Sequence, residues 1–544
     1  MNHFFSGEFL NAQSKTITVS AIILVLSSVA SRLLGVWRDW LLTSRFGASS
    51  DLDVYFAAFR IPDLIYNILV FGGIIVAFLP LFSDYYAKNK NEAWRFANNT
   101  LNIFFAFLVL LSAVLFIFTP QLVSLIAPGF LPEQLAKTAF LSRLMFLSPI
   151  IFGIASIFSG ILQYFGRFLA YSLAALLYNL GIIAGILFLA PSMGITGVAV
   201  GVVIGALLYL FIQIIPAIKC GFCYQPVFNL NEPSLRQALK LILPRTAGVA
   251  ANQINLIAPT IIGSTLAIGS ITIFNLANNI YSLPVGIIGV SWATAAFSPF
   301  SKYFAQNEIE KLAQKFSQIC GQVAYFVIPA SFLMFVLRRQ IVDLLYYHGQ
   351  FDAIAAALTA GSLGIFCLGI YFSAIMPVFF RLFFAIRNTF LPTLTTVIAV
   401  ALNIFLNYYF VVSLSGGNLA DFIKNILGLV NINDISVLGL ALAYTAANAA
   451  QFLLLVVFLW QKNKTLLRAK EIGASFLKVF IAGIFSAFAV YLVIGNLAAS
   501  TTIGLFFNVS ISLIAGRLMY LLATILFKSP EILWIRKLTI KRKK

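Results

Sequence analysis

Residues 31–63 read SRLLGVWRDWLLTSRFGASSDLDVYFAAFRIPD, which sets Arg32, Arg38 and Arg60 inside an otherwise membrane-like run. An arginine at mid-bilayer costs about 3 kcal/mol on insertion scales, and ionisable groups in membrane helices face a wet interior or a partner. Three lipid-exposed arginines would cost roughly 9 kcal/mol, comparable to the stability of an ordinary domain. The stretch therefore reads as membrane helix whose guanidinium groups meet water or a ligand, and an anion is the simplest ligand.

The rest of the chain supports a membrane reading. Of its 544 residues 61% are hydrophobic and 10% charged, against about 25% charged in soluble domains. The mean hydropathy is +0.97. About fourteen apolar runs approach the 20 or so residues that a spanning helix needs, so the expected fold is all-α and polytopic. The amino-terminal run lacks the basic start and the small-residue cleavage site of a cleaved signal. The formal charge of +19 falls in alternate loops, around Lys88–Arg95, Arg167, Lys219–Lys240, Lys302–Lys315, Arg387, Lys462–Lys470 and the tail from Lys528. Arg338 and Arg339 are the exception. This is the positive-inside pattern; it places both termini in the cytoplasm and argues against a nucleic-acid partner. The tail IRKLTIKRKK also suits anionic lipid, at about 1 kcal/mol per basic residue. Cys220 and Cys223 form a lone CxxC without a second ligand pair, read as reduced and inert.

The chain repeats itself. Asp53–Asn89 resembles Ile271–Asn307; both copies end in a proline, a serine, an aromatic pair and Ala-x-Asn. A second echo pairs the run from Gly166 with that from Ile386, and a third pairs GVAVG at 197–201 with GLALA at 439–443. Parallel repeats of this kind are a transporter architecture. The organisation expected is a tail over 1–16, an N-lobe over 17–216, a cytoplasmic linker over 217–234 and a C-lobe over 235–460. A C-terminal helix pair over 461–527 and a basic tail over 528–544 follow. Residues 414–436 form a longer outer loop with a short amphipathic element.

The first lobe concentrates charge: Arg32, Arg38, Asp39, Asp53, Arg60 and Asp63. The matching helices of the second carry Asn252, Asn255, Asn275, Asn278 and Asn279, with Arg245 at the start. A cleft between them would be cationic on one wall and amide-lined on the other. Guanidinium binds phosphate bidentately, and amides suit sugar hydroxyls and peptides. Helical spacing aligns Arg32 with Asp39 and Asp53 with Arg60, and sets Arg60 three residues from Asp63, within pairing reach. Gly35 permits a bend that would bring Arg38 to the face of Arg32. No GxxxxGK[ST] loop is present, and no acid or histidine cluster suggests a metal or paired-carboxylate site.

The blocks SRLLGVWRD (31–39), FGAS (46–49), DVYFAAFRIP (53–62), AFLP (77–80), APGF (127–130), GRF (166–168), YNLGII (178–183), LPRT (243–246) and LPVGIIGV (283–290) resemble the MurJ (MviN) lipid II flippases of the MOP transporter superfamily. The resemblance implies a fourteen-helix, two-lobed transporter and not an enzyme. It would move undecaprenyl-pyrophosphate-linked peptidoglycan precursor between leaflets of the bacterial cytoplasmic membrane by alternating access. It further implies a cationic cavity for the head group and a groove for the lipid tail at the C-terminal helix pair. By motif position Ser31, Arg32, Arg38 and Asp53 correspond to cavity residues. Arg60, Asn278 and Asn279 are further head-group candidates, with Asp39 and Arg245 behind them. The chain departs from the family at Tyr66, Asn67, Phe71 and Gly72, and at Ala277-Asn278-Asn279, where charged residues are usual. No cofactor is implied; coupling to membrane potential or to a monovalent ion is compatible. The expected partners are the polyprenyl lipid, membrane lipids and the cell-wall synthesis machinery, and the chain is expected to act as a monomer. The lost charges also suggest a flippase for another polyprenyl-linked glycan. A cation-coupled multidrug exporter fits less well, since the available carboxylates lie near arginines, and a non-transporting scaffold is a fourth reading.

Overall fold

The computed structural model describes residues 17–232, 237, 253–496 and 501–532. They contain helices and no strands, in two compact units divided between Ile271 and Thr272. In the first unit α1 (Ile17–Phe46) is followed by α2 (Ser50–Ile65) and α3 (Ile75–Lys88), joined by a π-helical stretch, Tyr66–Ile74. Then come α4 (Lys90–Ile117), α5 (Thr119–Ile126), α6 (Pro132–Met145), α7 (Leu147–Tyr164), α8 (Phe168–Ala184), α9 (Ile195–Lys219) and the short apolar helix Gln253–Gly263.

The second unit begins within α10 (Ser270–Pro284), joined to α11 (Ser291–Ala305) by a third π-helical stretch, Val285–Val290, the second being Gly185–Leu189 after α8. It continues with α12 (Ile309–Val336), α13 (Arg338–Leu345), α14 (Ala353–Ala385), α15 (Phe390–Leu414), α16 (Asn418–Leu427), α17 (Leu438–Lys462), α18 (Ala469–Gly495) and α19 (Thr502–Leu526). Among the described residues eleven helices are long and apolar enough to cross a membrane. The arginine-bearing α1, the 50–88 run and the shorter apolar helix Gln253–Gly263 come in addition, so the expected fourteen is compatible with the fold. Large apolar side chains stand on the outside, Phe188 at 75% and Leu526 at 77% exposure among them. Such a surface suits lipid and not water.

The sequence echoes reappear as geometry. The π-helical stretches Tyr66–Ile74 and Val285–Val290 occupy matching places in the first echo, each with glycines, Gly72-Gly73 in one and Gly286 and Gly289 in the other. The other echoes pack helix pairs. A Cβ on Gly181 would fall 2.3 Å from Gly205 Cα, and one on Gly185 would fall 2.6 Å from Gly201 Cα. α8 and α9 therefore touch backbone to backbone, the small-residue packing by which membrane helices associate. In the second unit a Cβ on Gly439 of α17 would meet the Val411 amide of α15 at 2.7 Å.

The linker is not free in its course. Residues after α9 run extended along α4. Asn98 donates to the Cys223 carbonyl and accepts from the Gln225 amide, both at 2.9 Å. Asn99 accepts from the Asn229 amide at 2.7 Å and donates to its carbonyl at 3.0 Å. Asn102 donates to the carbonyls of Gln225 and Val227. Three side-chain amides thus do for this strap what a neighbouring strand would do in a sheet.

Arginines that the topology left over are anchors. Arg338 donates to the carbonyls of Phe335 and Leu427, and so holds the C-terminus of the amphipathic α16. Arg339 pairs with Asp343 at 2.8 Å. Arg143 and Arg381 lie over the rings of Phe116 and Phe297.

Candidate functional site

α1 packs on α8, and between them and α9 opens a cavity of about 410 Å³. Its lining is Leu24, Ser27, Ser28, Ser31 and Arg32 from α1, Tyr171, Ser172 and Ala175 from α8, and Tyr209 from α9. Five of these nine carry hydroxyls or guanidinium on the α1 side or the facing serine: the stripe Ser27, Ser28, Ser31 follows helical spacing, and Arg32 adjoins it. Ser27 Oγ donates to Ser172 Oγ at 3.0 Å. Arg32 makes no hydrogen bond or ion pair with another described residue. A guanidinium beside hydroxyls and tyrosines, with its donors uncommitted, is suited to an anionic, hydroxyl-rich ligand.

The neighbouring Arg38 is differently placed. Its Nε and Nη2 donate to Asp39 Oδ1 at 3.0 and 2.7 Å, and its Nη1 donates to Asn179 Oδ1 at 3.2 Å. Asn179 Nδ2 in turn donates to Ser31 Oγ at 3.2 Å. Helical spacing aligns Asp39 with Arg32; the structure pairs it with Arg38, because the long guanidinium side chain folds back on its sequence neighbour. Ser31, Arg38 and Asp39 are therefore joined through Asn179, and Arg32 is left facing the cavity.

The remaining candidates lie elsewhere. Asp53 is buried, and its Oδ2 accepts the Gly269 amide at 2.6 Å. Gly269 has a left-handed backbone (φ 91°), and a Cβ there would fall 2.5 Å from the Ala48 carbonyl oxygen, so only glycine permits this approach. Asp53 thus fastens a loop near the end of α1 away from the cavity; Arg32 and Phe46 are about 21 Å apart along the helix axis. Arg60 donates Nε to Thr260 Oγ1 at 2.7 Å, a partner on the Gln253–Gly263 helix that sequence spacing to Asp63 did not suggest. Asn278 and Asn279 are half-buried on α10 in the second unit, with the Asn279 carbonyl accepting from Ser282 Oγ. Arg245 and Asn252 lie outside the described residues.

Sequence reasoning missed Asn179, Ser27, Ser28, Tyr171, Ser172 and Tyr209. Asn179 stood in the YNLGII block but without charge to draw attention. The tyrosines also explain one departure from the family pattern. Tyr66 packs on Phe152 with centroids 5.0 Å apart, and Tyr178 and Tyr209 meet the same ring at 5.2 and 5.1 Å. Asn67 turns its amide onto the Asp63 carbonyl of its own helix. Aromatic packing and a local hydrogen bond occupy positions where charge is usual.

Comparison with known proteins agrees with this architecture. The profile of the family described as "Lipid II flippase MurJ" matches residues 42–513. A probable lipid II flippase MurJ of Buchnera aphidicola subsp. Acyrthosiphon pisum (strain APS) is 28% identical over 516 residues, 93% of this chain and 95% of the relative. A solved structure of lipid II flippase MurJ in an inward closed conformation matches with a TM-score of 0.75 at 25% identity, over 94% of this chain and all of that one. An inward-facing multidrug resistance MATE transporter of the MOP superfamily shares the fold alone, with a TM-score of 0.63 at 15% identity, over 82% of this chain and 98% of that one. With its length matched from the end of α1 into α19, this polytopic membrane protein belongs to the lipid II flippase MurJ family.

Proposed function

We propose that the chain carries lipid II, the polyprenyl-pyrophosphate-linked peptidoglycan precursor, from the inner to the outer leaflet of the bacterial cytoplasmic membrane by alternating access. Membership of the family supports the substrate. The observation that carries the chemistry is Arg32, a guanidinium without a protein partner among the described residues, set beside a cavity of hydroxyls and tyrosines. In this reading Arg32 meets the pyrophosphate. Ser27, Ser28 and Ser31 meet it or the sugar beside it. Arg38, Asp39 and Asn179 hold the α1–α8 contact that presents them. Asn278, Asn279 and Arg60 are further head-group contacts, and Arg245 belongs with them by motif. Asp53 acts through the loop that it fastens.

The chain works as a transporter without a nucleotide-hydrolysing motif and needs no cofactor. Both termini face the cytoplasm, as the loop charges argue. It acts as a monomer alongside the cell-wall synthesis machinery. Outward movement of an anion across an inside-negative membrane is downhill by about 2.3 kcal/mol per charge per 100 mV, so the membrane potential suffices to bias the cycle. The family match does not favour a flippase for other glycans or a drug exporter.

The test is a leaflet-resolved assay of lipid II in a host depleted of its own flippase. Expression of this chain restores outer-leaflet precursor, and Arg32→Ala abolishes that restoration at unchanged protein level. Restoration by the Arg32→Ala variant would remove the phosphate role from Arg32.

A further inference from the structure

A second cavity, of about 580 Å³, lies within the second unit between α12, α18 and the segment that follows α19. Its lining includes Gln318, Gln322, Arg468, Glu471, Lys478 and Glu531. It opens where spans begin and end: α12 starts at Ile309, α18 at Ala469, and α19 closes at Leu526. That is the level of lipid head groups, and α18 continues from it with an exposed apolar stripe, Leu477, Phe480, Ile484 and Phe488.

Glu531 gives the cavity its character. The residue is 7% exposed, its Oε1 accepts from Ser475 Oγ at 2.5 Å and its Oε2 from Ser529 Oγ. Room for it is made by α12, since a Cβ on Gly321 would stand 2.4 Å from Glu531 Oε1. Among the described residues no lysine or arginine lies within ion-pair distance of this carboxylate. Two neutral hydroxyls satisfy hydrogen bonds but leave the buried charge uncompensated among the described residues, which is costly. A cation entering the cavity would compensate it. The other charges present divide in two. Arg468 is committed to Glu310 and Glu471. Among the described residues Lys478 reaches only the Lys528 carbonyl, at 3.4 Å, and so keeps an ammonium available for an anion.

A buried carboxylate and a lightly held ammonium around one cavity, beside an apolar stripe, match a zwitterion with acyl chains. We propose that this cavity binds the head group of a phospholipid bearing a primary ammonium, with the ammonium against Glu531 and the phosphate against Lys478. A quaternary ammonium cannot donate the hydrogen bond that the Glu531 oxygens accept, so the site prefers phosphatidylethanolamine to phosphatidylcholine. This holds whatever substrate the Arg32 cavity takes.

The test is native mass spectrometry of the delipidated full-length chain titrated with dilauroyl-phosphatidylethanolamine, -phosphatidylcholine and -phosphatidylglycerol. The ethanolamine lipid binds the wild type about tenfold more tightly than the choline lipid, the scale of one charge-assisted hydrogen bond. Glu531→Gln removes that preference, and Lys478→Ala weakens all three lipids. Equal binding of the two zwitterionic lipids to the wild type, or a preference that persists in Glu531→Gln, overturns the proposal. So does heat stabilisation of the wild type by sodium or potassium chloride alone with no added effect of phosphatidylethanolamine, which would make the occupant an inorganic cation. Should Glu531→Gln fail to fold, the wild-type ranking together with Lys478→Ala still decides.

Discussion

Arg32 and Arg38 sit on one helix and do different work. Arg38 is neutralised by Asp39 and tied to Asn179, whereas Arg32 faces the hydroxyl-lined cavity. Arg32→Lys should therefore retain part of the lipid II export that Arg32→Ala loses, because a lysine keeps the charge but not the bidentate fork; equal loss in both variants would argue that the fork is essential. Asn179→Leu should act differently. It severs the tie between Ser31 and Arg38 while leaving Arg32 in place. Interhelical hydrogen bonds in membranes average about 0.6 kcal/mol and reach about 1.7, so a loss of about 1 kcal/mol is expected in thermal unfolding of the detergent-solubilised protein, with reduced export. The sequence displayed the charges but not their partners. Arg32–Asp39 and Arg38–Asp39 are both compatible with one helix, and only the packing of α1 against α8, which brings in Asn179, separates them.

At the scale of elements the helices were legible and the connections were not. The membrane runs, the amphipathic α16 and the echoing segments follow from apolar length and repeated spacing. The π-helical stretches within the first echo do not, since glycine and proline inside an apolar run signal a departure from α geometry without saying which. The linker's composition shows only that it is polar, and its fastening by Asn98, Asn99 and Asn102 depends on which backbone lies beside α4. Asn98→Leu with Asn99→Leu should free this strap and speed proteolysis at residues 223–232, while Lys88→Ala on the same side should not. Gly201→Leu should be more damaging. Its side chain would begin 2.8 Å from Gly185 Cα, against backbone that cannot yield. Overpacking of this kind costs about 1–3 kcal/mol, to be read as a lowered unfolding temperature.

For the whole molecule, charge placement and the absence of a nucleotide loop bear on energetics. If potential drives the cycle, clamping the membrane potential to zero with valinomycin and matched potassium should slow lipid II export while a proton gradient persists. Export that instead follows a sodium or proton gradient at constant potential would assign the driving force to that ion. The two units are alike in their internal parts, each with a π-helical stretch and a glycine-packed helix pair, and unlike in chemistry. The first carries Arg60 in its echo helix, and the aligned helix of the second carries Asn278 and Asn279. The repeat was visible because packing constraints on small residues and prolines are local and leave fixed spacings.

The sequence alone determined that this is an all-helical membrane protein with a repeated plan and buried arginines, because apolar length, loop charge and the cost of charge in lipid act along the chain without regard to tertiary neighbours. The tertiary structure decided which arginine is spent on a neighbour and which faces the cavity, and which carboxylate is buried without a counter-charge among the described residues. Those outcomes depend on atoms from helices distant in sequence meeting within a few ångströms, and no spacing rule carries that information.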